Sequence, residues 1–130
     1  MPVKKNTVGV SYAKTLIRKG QYNVSTSWSI SSAEKRRLLG DPPDYKAYKR
    51  WFFGIDSTID KNTMGAYKYP FGKRGKVYRS ALIAIRQRSA QQGVTSIFAA
   101  AGTLIKMIDG KEESKNSLSF AEYVIHESNR

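Results

Sequence analysis

The chain has no cysteine. Disulfides, thiolate zinc sites, iron–sulfur ligation and a cysteine nucleophile are therefore excluded. It has a single histidine, His126, which leaves room for one catalytic imidazole but not for a multi-histidine metal site. No apolar run approaches the roughly 20 residues that span a bilayer, and the residues after Met1 lack the apolar stretch of a signal peptide, so no membrane partner is expected. Acids are scarce: Asp and Glu number 10 against 23 Lys and Arg, for a net charge of +13. Between Asp60 and Asp109 there is no acid at all.

What is present suffices for a fold. The 130 residues match one ordinary domain, long enough to bury a core without help. A hydrophobic share of 40% with 12% aromatics argues against wholesale disorder. The positive charge is unevenly placed. Residues 1–90 hold 19 basic and 5 acidic side chains, whereas residues 91–130 hold 4 and 5. A chain that repels itself this much suits a polyanionic partner; the alternative is a high-pI solubility surface.

Local signals divide the chain into a basic N-terminal arm (1–8), a single helical domain (9–110), and a polar connector with a short C-terminal helix (111–130). Val10, Ala13, Leu16 and Ile17 share one side of a helix that Gly20 stops. Residues 22–30 read as a short strand or extended loop anchored by Trp28. Ser31 and Glu34 have the spacing of a capping box, and Gly40 ends the helix that follows. Asp41-Pro42-Pro43 reads as the cap of a further helix over 43–53, with Gly54 closing it. Residues 56–65 are polar and turn-like. Residues 66–71 suit an edge strand, because Pro70 cannot donate to a ladder, and Gly72-Lys73-Arg74-Gly75 suits a tight turn. Helices are expected over 77–92, with Gly93 just beyond, and over 95–108, ended by Asp109-Gly110. Residues 119–126, with Phe120, Val124 and Ile125, suggest a last short helix. The fold class expected is mainly α (α+β), a compact helical domain with a short extended or hairpin segment around 66–78.

On a wheel of about 100° per residue, Lys76, Arg86 and Gln87 fall at about +60°, −20° and +80° from Arg79. This face, with Lys73 and Arg74 in the turn before it, could cradle phosphates at a helix N-terminus, or be an ordinary solvated face. Tyr67, Tyr69 and Phe71 alternate with Lys68 on an extended segment. Their rings either stack on bases while cations hold the backbone or lie in the core. The rings around Trp51, Phe52 and Phe53 belong to the core on burial grounds. The expected nucleic-acid-binding set is thus Lys68, Lys73, Arg74, Lys76, Arg79 and Arg86, with Tyr67 and Tyr69 as stacking partners. A helix-turn-helix about Gly93 is rejected as a reader, because Lys106 is the only long polar side chain of its second helix. Asp56 and Asp60, at i and i+4, read as turn acids more readily than as metal ligands. Gly72 to Lys76 is too short for a nucleotide phosphate loop, and His126 has no nucleophile elbow to serve. No enzyme, cofactor or metal is expected.

One resemblance adds to this reading. Trp28-Ser29-Ile30-Ser31, Leu38-Leu39-Gly40-Asp41, Trp51-Phe52-Phe53-Gly54-Ile55-Asp56, Tyr67-Lys68-Tyr69-Pro70-Phe71-Gly72-Lys73, Gly75-Lys76-Val77-Tyr78-Arg79-Ser80-Ala81-Leu82 and the run from Ile85 to Gly102 carry it. Together they resemble a small domain of tailed-bacteriophage and prophage proteins, found in or beside head-morphogenesis, prohead protease-like polyproteins. The resemblance implies a phage setting, in the cytoplasm of a bacterial host or in the virion. It also implies a compact accessory domain, for which an acidic structural protein of the head is the alternative partner to nucleic acid. No protease core is visible, so peptidase activity does not carry over.

Overall fold

Periodic apolar residues set the helices, and two small sheets join them. The computed structural model describes residues 3–128, with side-chain surroundings for residues 3–115. The order is β1 (Val3–Lys5), α1 (Thr7–Arg18), β2 (Tyr22–Asn23), α2 (Ser32–Leu39), α3 (Tyr45–Lys49), β3 (Phe52–Asp56), a 3-10 turn (Met64–Ala66), β4 (Tyr67–Pro70), β5 (Gly72–Lys73), β6 (Lys76–Tyr78), α4 (Arg79–Gln92) and α5 (Thr95–Ser128). One sheet runs β1-β3-β4 and the other β2-β6-β5. The first is antiparallel throughout; in the second, β2 pairs parallel with β6. An α+β domain results.

The core lies where α1 and α5 meet the sheets. α1 buries Val10, Ala13, Leu16 and Ile17, and α5 buries Ile97, Ala101, Leu104 and Ile108, both at helical spacing. Between them β3 buries Phe52, Phe53 and Gly54 in succession. A strand covered on both faces needs such a continuous apolar run rather than an alternation. α1 presses close at Gly9, where an added Cβ would lie 1.9 Å from the Phe52 carbonyl oxygen. Asn6 fastens the same corner. Its backbone N–H donates to the Phe53 carbonyl (2.8 Å), and its Nδ2 donates to the carbonyls of Lys49 (2.8 Å) and Phe52 (2.9 Å).

Several expectations are met. The capping box closes in both directions, Glu34 N–H to Ser31 Oγ and Ser31 N–H to Glu34 Oε1, each at 3.1 Å. Gly93 adopts the left-handed conformation after α4, and β4 is an edge strand. The tight turn is a two-residue hairpin. Arg74 and Gly75 have φ of 54° and 75°, the positive values that match the turn to the twist of β5 and β6.

Others are corrected. Within the basic arm, residues 3–5 form β1, paired with β3; residues 1–2 lie outside the described residues. α1 begins at Thr7 rather than near Val10. The helix expected over 43–53 is only Tyr45–Lys49, capped by Asp44, whose Oδ1 accepts from the Lys46 and Ala47 N–H groups. The apolar run after it is β3, because short apolar runs do not declare their period and sheet pairing decided this one. Asp109-Gly110 does not end α5, and the expected connector and final helix are one continuous helix with it. Tertiary anchors flank the glycine and outweigh its stop signal. Asp109 binds Arg79, Lys111 Nζ donates to the Arg18 carbonyl (3.0 Å), and the Tyr22 hydroxyl donates to Glu112 Oε1 (2.7 Å). The side chains of Phe120, Val124, Ile125 and His126 lie outside the described ones.

Candidate nucleic-acid interface

The cations expected to form one stripe are divided among three places. Lys73 is half-buried and tied down. Its ammonium lies 2.7 Å from Glu34 Oε2, donates to the Ser29 carbonyl (2.6 Å), and sits between the rings of Trp28 (5.6 Å) and Tyr78 (5.7 Å). This knot holds the 24–31 loop against the β5–β6 hairpin. Glu34 is correspondingly held down to about 2 by Lys73 and the Ser31 backbone N–H. Arg74 and Lys76 are exposed at the hairpin, with Arg74 Nη2 3.9 Å from Glu34 Oε2.

Arg79 and Arg86 point at α5. Arg79 makes a two-pronged pair with Asp109, Nε to Oδ1 at 2.7 Å and Nη2 to Oδ2 at 3.0 Å. The pair holds Asp109 below and Arg79 above their ordinary values. Arg86 lies 4.4 Å above the Phe98 ring and over Gly102, whose missing Cβ would fall 2.8 Å from Arg86 Nη1. Beside the α4 N-terminus the 24–31 loop packs close, since Ser80 Oγ donates to the Thr26 carbonyl (2.7 Å) and Trp28 packs edge-on to Tyr78; no side chain among the described residues caps the helix there. Tyr67 and Tyr69 are core residues, 7% and 6% exposed, which removes the stacking role expected of them. Tyr67 packs on Tyr48 and Phe52 and donates to the Lys61 carbonyl (2.7 Å).

Lys68 belongs to a different constellation. It projects from the edge strand β4, and three adjoining hollows surround that edge, all lined by Tyr69, Pro70 and Arg88. Their volumes are about 460, 400 and 460 Å³. Lys35 and Arg36 enter from α2, Lys68 from β4 and Arg88 from α4, and none of the four makes an ion pair among the described residues. Asp56 lines one hollow, where Thr58, through its hydroxyl and N–H, holds the carboxyl down, with Lys68 assisting. Asp60 accepts from the Asn62 N–H (2.9 Å), so both acids are employed in turns. No cluster of three metal-ligating side chains occurs among the described residues.

The groove floor has an unusual backbone. Tyr69 sits in β4 with φ of 63°, a conformation that costs a non-glycine residue of order 1 kcal/mol. Gly54 across the strand makes room for its ring, since a Cβ there would lie 2.9 Å from Tyr69 Cδ2. Burial pushes the Tyr69 hydroxyl up, and that hydroxyl donates to Gln92 Oε1. The strained residue thereby ties β4 to α4 beside the cations.

Lys35, Arg36 and Arg88 were absent from the expected set. The wheel centred on Arg79 put Arg88 on the far side, and that far side is the one facing the groove. Ala84, Gln87, Arg88 and Gln91 fall at i, i+3, i+4 and i+7 and line one hollow together. This polar spacing with a small residue at its head was the available signal. No helix among the described residues is long and apolar enough to cross a membrane. No protein-family model, curated protein or solved structure matches the chain.

Proposed function

We propose that the protein is a non-enzymatic nucleic-acid-binding module, which holds a phosphate backbone in the groove along β4. The observation that carries this reading is the convergence of Lys35, Arg36, Lys68 and Arg88 from three separate elements, without ion-pair partners among the described residues. Like charges gathered on one surface repel, and an anionic ligand relieves that repulsion. The net charge of +13 supplies long-range attraction to the same ligand. The resemblance to phage head-morphogenesis segments supports a phage setting.

The test is salt-titrated binding to DNA and RNA. Replacing both Lys68 and Arg88 by Ala weakens binding at every sequence and lowers the slope of log K against log salt by about two for a duplex. An unchanged slope with the fold intact overturns the groove as the site. Co-purification of an acidic capsid component after nuclease treatment, with no nucleic-acid affinity, replaces this reading by that of a head-assembly protein.

A further inference from the structure

The hollow between the 24–31 loop and α4 differs from the rest of the groove. Its volume of about 460 Å³ lies in the range of small-ligand sites. Trp28, Ile30 and Pro70 give it apolar walls, Lys35 and Arg88 stand at it as cations, and Gln87 and Gln91 present two carboxamides from one helix face. A phosphate backbone alone would use only the cations. Apolar walls, amide donors and acceptors, and cations in one recess match a molecule with a flat apolar body, a hydrogen-bonding edge and an anionic tail. A nucleotide with its base exposed is such a molecule. A base paired inside a duplex cannot enter.

Trp28 is the natural wall for a base. The ring is half-buried and fixed in place, edge-on to Tyr78 at 5.3 Å and near the Lys73 ammonium. Gln87 and Gln91 are exposed, and neither has a hydrogen-bond partner among the described residues.

Resting on the nucleic-acid reading above, we propose that this hollow is a nucleobase pocket and that the ligand of the groove is single-stranded. One base lies against Trp28 and Ile30, its edge meets Gln87 and Gln91, and its phosphate meets Lys35 and Arg88.

The test compares oligo(dT) and oligo(rA) with a DNA duplex of equal length, by anisotropy and by tryptophan emission. A Trp28→Phe variant assigns the emission signal, since Trp51 is buried beside Tyr12 and Phe71. A single strand binds roughly tenfold more tightly than the duplex and quenches Trp28. The Gln87→Ala, Gln91→Ala double variant, altered only on an exposed face, loses roughly tenfold for single strands while its salt slope is unchanged. Equal affinity for single strands and duplex, with emission and the double variant unaffected, overturns the base pocket and leaves the phosphate groove standing. Absence of binding by any of the three polymers at low salt overturns both.

Discussion

At the scale of single residues, three glycines and one glutamate give opposite and checkable signs. Gly9→Ala sets a methyl 1.9 Å from a backbone oxygen that cannot step aside, and it costs about 3 kcal/mol or more in urea unfolding. Gly110→Ala, in a helix and with nothing within 4 Å of the new Cβ, stabilises by about 0.5–1 kcal/mol in the same assay. Gly102→Ala falls between them, because its methyl meets only the movable tip of Arg86. Glu34 tests the Lys73 knot through pH. Its folded value of about 2 lies below the ordinary 4.5. The stabilisation is therefore complete above about 4.5 and lost as the pH falls towards 2. Glu34→Gln flattens that limb of the acid-unfolding curve; an unchanged limb would show that the knot contributes nothing. The capping box and the glycine turns were legible in the sequence because each is settled within four residues. The Lys73 knot was not, because Ser29 and Glu34 lie some 40 positions away from it.

At the scale of elements, α4 shows how a helix wheel finds a face without saying what the face meets. The Arg79–Arg86 side is legible as a stripe, but its partners Asp109 and Phe98 are on another helix. The opposite side, with Arg88 and Gln91 and with Gln87 at its flank, faces the groove. The two sides separate stability from binding. Replacing Arg79 and Arg86 by Ala costs about 1 kcal/mol in thermal or urea unfolding, since the Asp109 pair is about one-third exposed and the ring contact is modest. It leaves nucleic-acid affinity nearly unchanged, whereas the Lys68, Arg88 variant behaves in the reverse manner. A loss of affinity in the Arg79, Arg86 variant with stability intact would return the site to the α5 side. β3 was misread for a related reason. Phe52 and Phe53 follow the aromatics Tyr45, Tyr48 and Trp51 without a break in composition, and only pairing with β1 and β4 makes them a strand.

At the scale of the whole molecule, charge and topology were legible to different degrees. Composition alone gave the excess of positive charge, and the mixed helical and extended character was visible from periodicity and turn residues. Which cations converge was not, because convergence on β4 requires α2, β4 and α4 to meet. Those elements are brought together by strand pairs more than fifty residues apart in the chain. Val3 pairs with Asp56, and Tyr22 pairs with Val77. A mostly helical chain of this size would ordinarily fold on fast, local contacts, yet here residues 3–23 have no strand partners until the middle of the sequence exists. During synthesis on the ribosome, that first segment waits as an unfinished nascent stretch while more than fifty further residues emerge; in the complete chain the same long-range pairing slows folding from the microsecond regime of helical bundles towards milliseconds or longer.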